Sequence, residues 1–206
     1  MAIVRQCIGV GDAVQWPRAR VDAMKMSSRN FLNITKSIVF VGMMGAGKSA
    51  IGRRVAERLK LGFVDADDAI EHAAGRSISE IFVLHGEQEF RDGERRVIRR
   101  LLDSQIKVIA TGGGAFMNKE TRQTIQQYAH SIWLRADFET LWRRVSRRNN
   151  RPMLKTANPQ ETLRQLIADR YPIYEEADLT VESTDGPHDV TVDRVLDALA
   201  IYFNRP

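Results

Sequence analysis

Eight residues from Gly42 to Ser49, read as Gly-Met-Met-Gly-Ala-Gly-Lys-Ser, follow the pattern G-x-x-x-x-G-K-[ST]. Glycines at that spacing let successive backbone N–H groups curl around an anion, the lysine adds a point charge, and the hydroxyl suits a hard cation. The chemistry that needs all three is a grip on the phosphates of a nucleotide. The flanks agree with it. The apolar run Ile38-Val39-Phe40-Val41 comes before, and Ile51, Val55 and Leu59 follow on one helical face, so Lys48 opens an amphipathic helix whose positive end faces the loop. Lys48 is expected at the β- and γ-phosphates and the Ser49 hydroxyl on Mg²⁺.

Two carboxylates, Asp65 and Asp67, stand at the end of a second apolar run, with Asp68 beside them. Strand alternation would point Asp65 and Asp67 to the same side, beyond the carboxyl end of a strand, where open α/β sheets bind ligands. One carboxylate could then hold Mg²⁺ while the other accepts a hydroxyl proton. Asp is also a favoured helix cap, and spacing alone leaves the two roles even. Arg91 has Glu94 three residues on to steer its guanidinium, and Gly112-Gly113-Gly114 permits close approach of a ligand. Guanidinium forks bind carboxylates bidentately, although Arg91 taken alone reads better as a solvated charge on a helix face.

These residues need a frame, and the pattern from Ile38 onward supplies one. Short apolar runs alternate with helix-period segments, as in βαβ units around a parallel sheet. Strands are expected at Ser37–Val41, Gly62–Asp65, Lys107–Ala110, Ser131–Leu134 and Leu179–Glu182. Helices are expected over 48–61, with Gly62 ending the first, and over 79–102, 118–128, 137–145, 159–171 and 189–203. Gly86 and Gly93 each weaken the second by about 1 kcal/mol relative to Ala, so breaks are expected there. Residues 147–158 lack an apolar period and are rich in Arg and Asn, which predicts a mobile surface segment.

The 206 residues suffice for one domain with a real core. The net charge of +5 is concentrated in residues 1–37, which carry +4, leaving +1 for residues 38–206. Nucleic-acid binding through the leader is therefore an argument from charge only, and no such partner is expected. No run approaches the length of a membrane span. The single cysteine, Cys7, has no partner in the chain, which fits a reducing, cytoplasmic setting. Residues 1–37 lack a secretory h-region and read as a disordered extension, with Met24 and Met26 as possible later starts.

Taken in order, several motifs resemble shikimate kinase over essentially all of residues 38–206. They are the phosphate loop, Asp65-x-Asp67, Gly75-Arg76-Ser77-Ile78, Glu89-Phe90-Arg91-x-x-Glu94, Gly112 to Gly114, Arg151-Pro152-Met153-Leu154 and Arg170-x-x-x-Tyr174. The resemblance implies a three-layer α/β/α P-loop kinase with a five-stranded parallel sheet and a mobile lid, usually monomeric. It also implies transfer of the γ-phosphoryl of ATP to the 3-hydroxyl of shikimate. By position, Asp67 resembles the acceptor-binding base and Asp65 the carboxylate near Mg²⁺. Arg91 and Arg170 resemble the pair gripping the substrate carboxylate, Gly113 and Gly114 the backbone against its ring, and Phe82 and Phe90 apolar walls. Gly45, Ala46, Gly47, Lys48, Ser49 and Ala50 would hold the nucleotide. Arg144 resembles the residue packing near adenine, and Arg151 the catalytic arginine of the lid, whereas Arg147 and Arg148 read as solvated. Two departures are Gly93, which would interrupt the helix bearing Arg91, and the 37-residue leader. Rival readings are a gluconate-type kinase, which lacks this arginine and triple-glycine set, and a catalytically silent nucleotide-binding protein.

Overall fold

Strand β1 (Ser37–Val41) is buried at every position. A strand apolar on both faces belongs at the centre of a parallel sheet with helices on each side, and that is its place in the computed structural model, which describes residues 34–147 and 156–204. β1 pairs in parallel with β3 (Lys107–Ala110) and β4 (Ala129–Arg135). β2 (Gly62–Asp65) and β5 (Leu179–Glu182) are the edges, giving the order β2-β3-β1-β4-β5 with all neighbours parallel. The chain leaving β1 goes to the β2 side and the chain leaving β3 crosses to β4, so the ends of β1 and β3 form the switch point where such sheets bind ligands.

Helix α1 (Lys48–Leu59) seals one face of the sheet with Ile51, Val55 and Ala56. Its C-terminal cap is Lys60, in the left-handed region at φ 58°, rather than the expected Gly62, which begins β2. α2 (Ala66–Ala74) is a helix that the sequence reading did not separate from the carboxylate pair. Asp65 is its N-cap, accepting from the Asp67 N–H at 3.0 Å. Asp67 therefore lies in the first turn of a helix, and the expected strand alternation of Asp65 and Asp67 does not hold.

α3 (Ile78–Leu102) is one long element with a kink at Gly86, whose φ of 79° and ψ of 177° suit a residue without a Cβ. Gly93 makes no break. Phe90, Val97, Ile98 and Leu102 are buried along the same stretch, and Arg95 pairs with Asp92 at 3.0 Å, so packing outweighs the glycine cost of about 1 kcal/mol. The remaining α-helices among the described residues are α4 (Lys119–Tyr128), α5 (Phe138–Ser146), α6 (Pro159–Tyr174) and α7 (His188–Phe203).

α3 starts on a capping box. Ser77 accepts from the Glu80 N–H at 3.2 Å, and the Glu80 carboxylate accepts from the Ser77 N–H at 2.8 Å. Hydrogen bonds from the Ser77 hydroxyl and N–H hold the Glu80 carboxyl below its usual value. A depressed carboxyl contributes stability above its unfolded value and loses that contribution as pH falls through the folded one. Ser77→Ala should lower Tm by about 2–4 °C at neutral pH, and the difference from the parent chain should shrink on acidification. Thermal melts at pH 7 and pH 4 would check this.

Candidate active site

The phosphate loop leaves β1 at its carboxyl end and feeds α1. Gly45 has φ 82°, and a Cβ there would sit 2.8 Å from Val145 Cγ1, so the loop is pressed against α5. Lys48 is 8% exposed and its ammonium donates to the carbonyls of Gly42 at 2.8 Å and Met43 at 3.0 Å. Ser49 is exposed at the start of α1, where the free backbone N–H groups and the helix dipole favour anions. Arg144, on α5, donates to the Gly45 carbonyl at 3.1 Å, to Ser183 Oγ at 3.0 Å and to the Thr184 carbonyl at 2.7 Å. It thus ties the loop to the end of β5. Ser183, whose hydroxyl also donates to the Ala46 carbonyl at 2.8 Å, is part of that tie, and nothing in the local sequence marks it.

The triplet Gly112–Gly114 ends β3 beside the loop, and the other candidate side chains converge on it. A Cβ on Gly113 would lie 3.3 Å from the Met44 nitrogen, one on Gly112 would lie 2.7 Å from Asp67 Oδ1 and 3.0 Å from Glu94 Oε1, and one on Gly114 would lie 2.5 Å from Arg91 Nη2. At Gly112 and Gly114 no side chain larger than hydrogen fits without displacing a charged group, and at Gly113 the neighbour that would have to give is the loop backbone. Gly112, which the resemblance gives no separate role, makes the closest approach of the three to Asp67.

Arg91 reaches Gly114 because α3 places it between two carboxylates, Glu94 at 2.8 Å and Glu87 at 3.0 Å. Glu94 is 2% exposed, and its second oxygen, Oε1, has no hydrogen-bond partner among the described residues. Burial raises its carboxyl above the usual range against the pull of Arg91, with the Asp67 charge adding to the rise. The sequence reading gave Glu94 a steering role, and the structure adds its closeness to Asp67. Arg170, on α6, is buried at 8% exposure and donates to the Gly113 carbonyl at 3.2 Å.

The apolar pair divides. Phe90 is buried with Ile70, Ile81 and Val97, while Phe82 packs against this cluster half-exposed, the two rings 4.7 Å apart. Arg147 is exposed at the end of α5. Arg151 and Arg148, and most of the expected lid, lie outside the described residues.

A parallel sheet that carries a phosphate loop after its central strand is the architecture of the small-molecule P-loop kinases, and here arginines from α3 and α6 line the turn after the neighbouring strand. Within that class, residues 44–200 match the family model described as shikimate kinase. The chain belongs to the shikimate kinase family. It is 56% identical over 167 residues to the shikimate kinase of Rhodopseudomonas palustris, covering 81% of this chain and 82% of that protein. It is 58% identical over 164 residues to that of Bradyrhizobium diazoefficiens, covering 80% and 79%. Among solved structures, shikimate kinase from Acinetobacter baumannii in complex with shikimate superposes with a TM-score of 0.81 at 35% identity, covering 86% of this chain and 99% of that one. These matches favour the shikimate reading over the gluconate-type and silent ones.

Proposed function

We propose that the chain transfers the γ-phosphoryl group of ATP to the 3-hydroxyl of shikimate through Asp67, the phosphate loop and the Arg91–Arg170 wall. The observation that carries the residue roles is the convergence on Gly112–Gly114. Two carboxylates, two guanidinium groups and the phosphate loop all border one three-residue stretch. A donor on the loop side and an anionic acceptor on the arginine side would meet in line across it, which is the positioning that phosphoryl transfer requires. Asp67 would take the hydroxyl proton as the new O–P bond forms and ADP leaves. Lys48 would exchange loop carbonyls for phosphate oxygens. Arg91 and Arg170 would hold the acceptor carboxylate, and Arg144 would brace the adenine side. Arg151 is assigned to the transferring phosphoryl on the resemblance alone.

Mg²⁺ belongs to the same proposal. Among the described residues no group of three His, Cys, Asp or Glu side chains could hold a metal ion. That suits Mg²⁺, which takes one or two protein oxygens and completes its shell with water and substrate phosphates. The Ser49 hydroxyl and the Asp65 carboxylate are the oxygens offered. The cap to Asp67 uses one Asp65 oxygen and leaves the other. Bound there, Mg²⁺ would neutralise charge on the phosphates. No helix among the described residues is long and apolar enough to cross a membrane. We place the enzyme in the cytoplasm as a monomer, on the single cysteine and the family resemblance respectively.

ADP release with Mg-ATP, compared for shikimate, gluconate and no acceptor, tests the reading. Stimulation by shikimate alone is the expected result, and equal rates in all three would overturn it.

A further inference from the structure

A buried tyrosine needs a partner for its hydroxyl, and any carbonyl will serve. Tyr174, 0% exposed at the end of α6, uses the Gly113 carbonyl, 61 residues away in sequence. The same oxygen accepts from Arg170 Nη1, one helical turn earlier on the same face of α6. Its two lone pairs are thereby filled. The tyrosine oxygen also lies 4.0 Å from Met43 Sδ of the phosphate loop, and the ring packs against Trp133 and Phe116 with centroids 5.8 and 6.4 Å away. Burial holds the phenol well above its usual range, so it stays a donor throughout the working pH.

We propose that Tyr174 is a positioning residue for the acceptor. By donating to the Gly113 carbonyl it fixes the plane of the Gly113–Gly114 peptide and leaves Arg170 with N–H groups to spare for a substrate carboxylate. No cis peptide occurs among the described residues, so the Gly114 N–H points away from Tyr174, opposite the carbonyl. Without the hydroxyl, that carbonyl depends on Arg170 alone and competes with the substrate for its guanidinium. This inference rests on the assignment of Arg170 and Gly113 to the acceptor site.

The test is steady-state kinetics of Tyr174→Phe, with Tyr171→Phe as control. Tyr171 sits on the same helix in the same aromatic stack, but its hydroxyl donates to the Ala136 carbonyl. Tyr174→Phe is expected to raise the shikimate KM about 10-fold or more, with kcat and the ATP KM within about threefold. Tyr171→Phe should leave the shikimate KM unchanged at any shared loss in Tm. An unchanged shikimate KM in Tyr174→Phe, or an equal rise in both variants, would overturn the proposal. In an Arg170→Lys background the Tyr174→Phe effect should shrink to about twofold or less, because the two side chains act through one carbonyl. A full multiplicative effect there would mean general softening of α6. A parent chain that shows no shikimate-dependent ADP release would instead sink the reading on which the inference stands.

Discussion

Asp67→Asn is expected to lower kcat by about 100- to 10,000-fold, the range for loss of a positioned general base. The amide keeps the size and one acceptor oxygen, so contacts near Gly112 survive, where a Cβ would lie 2.7 Å from Asp67 Oδ1. The proton-accepting charge alone is lost. ATP affinity, set by the loop, should stay within about twofold, and fluorescence titration with a nucleotide analogue beside rapid-quench turnover would separate the two. Normal turnover in the variant would move the base elsewhere. Neighbouring Glu94 responds as well. The Asp67 charge adds to the rise in its carboxyl, so removing that charge should let Glu94 ionise more readily and pair more firmly with Arg91.

Gly114→Ala is the second large effect, and it introduces no charge. The new Cβ would lie 2.5 to 2.7 Å from Nη2, Nη1 and Cζ of Arg91. A guanidinium held by Glu94 and Glu87 must then leave one of them, or the turn after β3 must shift. Either movement breaks the carboxylate clamp. Loss of a buried charge-assisted contact of this kind costs about 2–5 kcal/mol, so the shikimate KM should rise about 30-fold or more. The ATP KM should hold, because the loop is untouched. Calorimetric titration with each substrate in turn would show the split. An equal loss of both affinities would mean that the triplet supports the loop rather than the acceptor wall.

The centre of the sheet was legible because β1 is apolar beyond what half-burial requires. Ile38 to Val41 can only be central, and the phosphate loop after them follows from glycine and lysine spacing. The Arg91–Glu94 pair followed from helical spacing of three. Other features depend on contacts remote in sequence. α2 buries only Ala66 and Ile70 and is started by a side-chain cap, so no apolar period announced it. Gly86 and Gly93 are the same residue in similar company, and only the packing of Phe90 and Val97 keeps the second helical. The depth of Glu94, the tie from Arg144 to Ser183 and the choice of Gly113 as partner for Tyr174 arise where the ends of separate strands meet. Local patterns carry no record of those meetings.

The ammonium of Lys48 is already engaged by two carbonyls of its own loop. Nucleotide capture is then an exchange of partners, and the measured affinity is a difference between two sets of contacts rather than the strength of one. The loop keeps its curvature through its own bonds, so little ordering entropy is left to lose at the moment of capture. A substitution that weakened the internal bonds without unfolding the loop would trade that rigidity for enthalpy, and the trade would be visible in the sign of the entropy of binding before it changed the affinity.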